Sequence, residues 1–344
     1  MADLTGGVLI THAAALVGFA ALLCIVMIVA LRPLLLRYAL ARPNARSSHK
    51  IPTPQGGGIA VMTATVAVSV AGLLYLDIGA AALSLPAVFT AVVVIAGMGM
   101  ADDIRPLGVL PRLLLQGAAV ATVIFTLPAD LHIVPILPWW IERSALVIGG
   151  AWFVNLVNFM DGLDWMTAAE VIPVTVAIAA IGYLGPLPPQ AIVVSLALCG
   201  AMVGFAFFNR PAAKLFLGDV GSLPIGLTLG WLLVLLAGHG NRVAALLLPL
   251  YYLSDSTITL LRRLFSGERV WQAHRSHFYQ RATDRGFTVI EVVSRVFIVN
   301  LALAALAFLT VTMPSRTTES AALIAGILLV AWLLWTLSRG RVPQ

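Results

Sequence analysis

The chain has 344 residues, 60% of them hydrophobic and 10% charged, and a mean hydropathy of +0.98. A soluble domain could not hide that much apolar surface, so the composition excludes the globular classes and defines an integral membrane protein. The formal net charge of +6 suits the inner face of a membrane better than nucleic acid.

The apolar runs are continuous and close to the length a bilayer demands. A strand barrel would instead show alternating segments of about ten residues, so an all-α bundle is expected. In chain order, eleven runs are long enough to cross: 8–31, 57–76, 83–100, 112–128, 144–160, 168–184, 190–208, 221–237, 243–261, 293–313 and 320–337. The first has no basic n-region before it and exceeds a signal-peptide core, so it is expected to stay as an anchor. Cys24 and Cys199 lie inside apolar runs and read as packing residues, with no disulfide or metal role.

With the N-terminus outside, segments 31–56, 101–112, 161–167, 209–220, 262–292 and the tail after 337 fall in the cytoplasm. They hold every Arg and Lys except Arg143, Arg242, Arg295 and Arg316, the asymmetry of the positive-inside rule. Trp139 and Trp140 then belong to an aromatic belt in an otherwise bland outer loop. No repeat or low-complexity linker divides the chain. We expect a single polytopic domain over 1–344, with one longer cytoplasmic loop at 262–292 and a cytoplasmic C-terminus.

Almost every reactive side chain collects on that inner edge. The first cluster is Lys50 followed by Pro52-Thr53-Pro54-Gln55-Gly56-Gly57-Gly58, an ammonium next to backbone that can wrap an anion; a plain turn before a span is the alternative. The second, Asp102-Asp103, follows the small-residue run Ala96-Gly97-Met98-Gly99-Met100-Ala101. Adjacent carboxylates repel, and make sense beside a cation or as a proton acceptor near an anionic substrate; otherwise they are solvated acids.

The third cluster organises the rest: Asn155, Asn158, Asp161, Gly162 and Asp164 end an apolar span. Their spacing puts Asn155, Asn158 and Asp161 on nearly one helix face, pointing together into a polar cavity. Such groups at a membrane edge are costly unless paired or used. Gly218-Asp219, just before Gly221-Ser222 and a span, offers a carboxylate at a helix N-terminus, either as a cation ligand at a nucleotide phosphate or as an N-cap. Last come His274-Arg275-Ser276-His277 in the longest inner loop, amid further arginines, suited to a pyrophosphate or to anionic headgroups. Asp255 lies within a span near Arg262 and Arg263 and is expected to be functional or internally paired.

Together these clusters resemble the polyprenyl-phosphate N-acetylhexosamine-1-phosphate transferases. That family includes the phospho-MurNAc-pentapeptide translocase and the initiating enzymes of O-antigen and capsule synthesis. Its ordered motifs match Thr53 to Gly57, Asp102-Asp103, Asn155 to Gly162, Gly218 to Ser222 and His274 to His277, and the span count is closer to the O-antigen initiators. The resemblance implies that a polyprenyl phosphate attacks the sugar-bearing phosphorus of a UDP-N-acetylhexosamine and releases UMP. It further implies Mg²⁺, or Mn²⁺ in its place, on Asp219, with catalytic roles for Asp102, Asp103 and Asp161. Lys50, Thr53, Asn155, Asn158, Asp164, His274, Arg275 and His277 would bind substrate, Asp164 by reaching the uridine. Trp165 stands where the family commonly has glycine, which puts a bulky ring beside the implied nucleotide pocket. Whether the chain forms a homodimer is left open.

A polytopic transporter is the competing class, but it would place its polar groups near the bilayer midplane, whereas here nearly all of them gather at one edge. An intramembrane aspartyl protease would need a second acid motif inside an adjacent span, and none occurs.

Overall fold

The structure, a computed structural model, describes residues 2–41, 52–79, 85–269 and 274–339. Its helices are α1 Ala2–Tyr38, α2 Gly57–Tyr75, α3 Leu85–Ile104, α4 Val109–Phe125, α5 Trp139–Met160, α6 Met166–Tyr183 and α7 Pro189–Ala206. They continue with α8 Asp219–Gly238, α9 Arg242–Leu247, α10 Leu250–Phe265, α11 Phe278–Asp284, α12 Val289–Thr312 and α13 Arg316–Arg339. Two short strands, β1 Leu40–Ala41 and β2 Thr53–Pro54, pair antiparallel with Ala41 opposite Thr53.

Among the described residues nine helices are long and apolar enough to cross a membrane, and the protein is a multi-pass membrane protein. The other two expected spans differ for local reasons. Run 112–128 is the seventeen-residue apolar helix α4, which stops at Phe125, ahead of Pro128. Run 243–261 is broken into α9 and α10, because Pro249 has no N–H to give and its ring crowds the preceding turn. Cys24 and Cys199 are buried.

Helices α6, α7 and α8 form the interior and α1, α2, α3, α5 and α12 pack around them. Small residues set the approach of α8 to its neighbours. A Cβ on Gly58 would strike the backbone of Gly221, and one on Gly99 the carbonyl of Asp219. The start of α2, the end of α3 and the start of α8 are thereby drawn together at one edge of the bundle, which is how small residues act between membrane helices.

At the other end of α5, Glu142 and Arg143 are buried, so Arg143 is not the loop cation its sequence position suggests. Glu142 accepts from the Ile133 N–H at 2.6 Å, the Val134 N–H at 2.7 Å and His132 at 2.7 Å. Arg143 donates to the carbonyls of Ile124, Pro128 and Leu131. The two side chains fold the 126–138 connection back onto the bundle.

Candidate active site

The strand-like segment before α2 decides what the glycine-rich motif does. The N–H groups of Gly56 and Gly57 donate to the Phe216 carbonyl at 3.1 and 2.9 Å, and that of Gly58 to Leu217 at 2.9 Å. Those amides are therefore not available to wrap an anion, which leaves the turn before a span as the reading of the two that holds. Their work is to hold segment 215–218, and with it the start of α8. Thr53 is buried in β2, and Lys50 lies outside the described residues.

Asp103 reaches the same point from α3. It accepts from the backbone N–H of Asp219 at 3.0 Å and of Val220 at 3.1 Å, and the Gln55 amide closes on it as well. Both carboxylate oxygens serve the first turn of α8, where unpaired N–H groups and the helix dipole favour a negative charge. Asp102 accepts from the Leu107 N–H at 2.6 Å and from Arg112 at 3.3 Å, and its carboxyl comes within hydrogen-bonding reach of Asp219.

Asp219 is the meeting point. From α5, the Asn158 amide donates to Asp219 Oδ1 and to Ser222 Oγ, each at 2.8 Å. One turn on, Asp161 ends α5 and accepts from Thr167 at the start of α6. Burial pushes the Asp161 carboxyl up to about 8, and the neighbouring charges of Asp219, Asp103 and Asp164 push in the same direction against the Thr167 hydrogen bond. Asn155, expected on the same face, does not join this group. It is buried and donates to Gln116 on α4 at 2.6 Å and to the Ala151 carbonyl.

Asp164 is also buried and accepts from the Ala213 N–H at 3.0 Å, tying the 161–165 turn to the segment that leads into α8. Trp165 follows at φ 64°, a left-handed conformation that costs a bulky residue about 1–2 kcal/mol and a glycine nothing. Two hydrogen bonds offset the cost: the Trp165 backbone N–H reaches Asn209 and its ring N–H reaches the Ala206 carbonyl, at 2.8 and 2.7 Å. The ring N–H is spent on a backbone carbonyl and not on a carboxylate. The ring lines an apolar cavity of about 400 Å³ together with Ala168, Ile172, Ala206 and Phe297.

The histidine loop packs against the end of α5. The Tyr279 hydroxyl donates to the Phe159 carbonyl at 2.9 Å and lies where a Cβ on Gly162 would stand. The rings of His274 and His277 stack at 4.9 Å, and His274 pairs with Ser276 at 2.8 Å. Arg275 forms an ion pair with Asp284 at 3.0 Å and bonds Thr283. Asp255 is internally paired, but with His277 and not with the arginines; Arg263 takes Glu268 instead, at 2.7 Å.

The structure thus brings Asp102, Asp103, Asn158, Asp161 and Asp219 together at one edge, with the histidine loop against the end of α5. Among the described residues no three His, Cys, Asp or Glu side chains already form a complete metal-ligand group. The facing carboxylates of Asp102 and Asp219 are nonetheless hard oxygen donors of the kind a divalent ion takes in ones and twos alongside water and phosphate. Sequence reasoning gave no role to Gln55, Ser222 or Thr167. Gln55 and Ser222 stand inside motifs that were read for their neighbours, and nothing local ties Thr167 to Asp161. Gln116, a lone amide in an apolar run, was a signal that could have been followed.

Residues 85–237, which carry the acid cluster, match the family model for glycosyl transferase family 4. Over 262 residues the chain is 26% identical to a probable undecaprenyl-phosphate N-acetylglucosaminyl 1-phosphate transferase of Bacillus subtilis, covering 73% of this chain and 71% of that protein. It is 29% identical over 302 residues to a decaprenyl-phosphate N-acetylglucosaminephosphotransferase of Mycobacterium leprae, with 76% and 74% covered. The protein of the same name from Mycobacterium tuberculosis is also 29% identical, over 301 residues. The match to glycosyl transferase family 4 and the names of these relatives agree with the family that the ordered motifs resemble.

Proposed function

We propose that the protein transfers an N-acetylhexosamine-1-phosphate from a UDP-sugar to a polyprenyl phosphate such as undecaprenyl phosphate. UMP leaves, and the product is a polyprenyl-diphospho-sugar, the first intermediate of a cell-surface glycan such as an O-antigen. The names of the relatives support the acceptor and the sugar phosphate. The reading includes eleven crossings of the cell inner membrane, an outer N-terminus and a cytoplasmic C-terminus, so that the site faces the cytoplasmic pool of nucleotide sugars.

One observation carries the proposal: Asp219, at the head of α8, is gripped by Asn158 and faced by Asp102, with Asp161 a turn away. Like charges gathered at a membrane edge are unfavourable by themselves and become favourable around a cation that also binds a diphosphate. Asp219 and Asp102 supply the oxygen donors that would hold Mg²⁺, and the bound ion would neutralise charge on the diphosphate.

In the reaction an oxygen of the lipid phosphate bonds to the sugar-bearing phosphorus. The bond from that phosphorus to the bridging oxygen breaks, and UMP departs with the electron pair. The side chains mainly position and balance charge, as phosphoryl transfer asks of a protein. Asn158 fixes the rotamer of Asp219. Asp103 is occupied in holding the first turn of α8, so the residue of the pair that meets the lipid phosphate, or takes its proton, is Asp102. His274, Arg275 and His277 would contact the diphosphate from the loop, with Lys50 as a further cation.

Purified protein in detergent, given Mg²⁺, undecaprenyl phosphate and a panel of UDP-sugars, should release UMP with at least one donor. Asp219→Ala should abolish release while the protein stays folded. Activity that survives both this substitution and a chelator would remove the metal role, and no UMP from any donor would sink the transfer itself.

A further inference from the structure

Asp255 is left without a part in the chemistry above, although it is completely buried and unusually well connected. Its Oδ1 accepts from the Phe278 N–H at 3.0 Å and meets His277 Nδ1 at 3.2 Å. Its Oδ2 accepts from the Tyr279 N–H and the Tyr251 hydroxyl, both at 3.2 Å. One carboxylate on α10 therefore anchors the first turn of α11, and with it the loop that carries His274 and Arg275. The same short helix bonds the last turn of α5 through Tyr279 and Phe159, two residues before Asp161.

The chemistry at His277 follows from what surrounds that carboxylate. Its oxygens are already receiving backbone N–H groups and a phenol, so toward the ring it can only accept, and Nδ1 must carry the proton. Nε2 can then donate to a phosphate oxygen only when it is protonated as well, in an imidazolium whose charge Asp255 balances. Stacking between His274 and Tyr279, with the Phe159 ring tilted nearby at 6.4 Å, keeps the ring from rotating.

We propose that Asp255 is a positioning residue for phosphate recognition, fixing both the tautomer of His277 and the seat of the His274–Tyr279 segment against the end of α5. The inference rests on the transferase reading and deepens it. A carboxylate that orients a histidine by its far nitrogen is a known way of tuning a site from one layer out, and losing such a partner costs activity about 10–100-fold. Asp255→Asn keeps the volume but offers an amide, which cannot accept on both sides.

Two measurements test this. ¹⁵N-histidine NMR of the full chain in detergent, with His277→Gln to assign the signal, should show a protonated Nδ1 in the parent and its loss in Asp255→Asn. An unprotonated Nδ1 in the parent overturns the proposal. In the UMP-release assay Asp255→Asn should lower kcat/KM for the UDP-sugar by about 10–100-fold, and on a His277→Ala background it should cost clearly less, because only the seating of the segment is left to lose. Two losses that multiply independently, or a variant that merely yields less folded protein with unchanged kcat and KM, overturn it as well. A parent that releases no UMP from any donor defeats the transferase reading instead, and the NMR result still decides the tautomer.

Discussion

The two ends of α5 handle buried charge in opposite ways. At the Trp139 end, each charge meets its complement inside the chain: Glu142 receives two backbone N–H groups and a histidine, and Arg143 gives hydrogen bonds to three carbonyls. At the Met160 end, carboxylates meet carboxylates, with Asp102 facing Asp219 and Asp161 close behind. The first arrangement is closed and stabilises the loop it folds. The second is incomplete until a cation and an anionic substrate arrive, and that incompleteness separates a site from a staple.

The comparison breaks most easily at its two anchors. Asp219→Ala should cost activity about 10³-fold or more, the scale of losing a principal charge stabiliser in phosphoryl transfer, while the melting temperature in detergent stays near the parent's. Glu142→Ala should do the reverse. Removing one partner from a buried polar cluster destabilises by about 3–5 kcal/mol, so the protein should melt earlier, yet turnover per folded molecule should hold. Swapped outcomes would mean that the roles of the two ends have been exchanged.

That contrast was only half legible in the sequence. The acids and amides of the Met160 end announce themselves by standing where lipid-exposed chain does not tolerate them, and their order along the chain carries the family resemblance. Glu142 and Arg143 look like ordinary loop charges, because burial by a folded-back connection leaves no periodic trace. Helical spacing correctly grouped Asn158 with Asp161 but also included Asn155. Face geometry alone cannot tell which neighbouring helix stands opposite, and α4 offers Gln116 there. The Gly56–Gly58 run left an anion cradle and a plain turn before a span both open for a related reason: its N–H groups are taken by Phe216 and Leu217, a pairing across more than 150 residues that no local rule predicts.

A pH series sharpens the comparison further. Asp161 ionises ordinarily near 3.8 but is pushed up to about 8 in the folded protein, so between those values the folded state holds a proton that the unfolded state has lost. The stability that Asp161 contributes to the metal-free protein should therefore be fullest in acid, fall as pH rises through that window, and level off above about 8. Asp161→Asn should flatten the slope, and added Mg²⁺ should reduce it by favouring the ionised carboxyl. Melting curves in detergent with chelator, with and without magnesium, read the effect directly. A slope unchanged in Asp161→Asn would assign the titration to another group.

The smallest effect is expected where the site ends within α5. Asn155 sits one turn before Asn158, yet its amide is spent on Gln116 and on the Ala151 carbonyl within the bundle. Changing Asn155 alone strands a buried partner, so the informative variant removes both amides: Asn155→Leu with Gln116→Leu. Replacing both members of a buried hydrogen-bonded pair by apolar groups of similar shape is nearly neutral, so stability should stay within about 1 kcal/mol and kcat/KM within roughly threefold. A raised KM for the UDP-sugar in the doubly substituted protein, with kcat intact, would instead extend the substrate-binding face a full turn deeper into the membrane than the carboxylate cluster reaches.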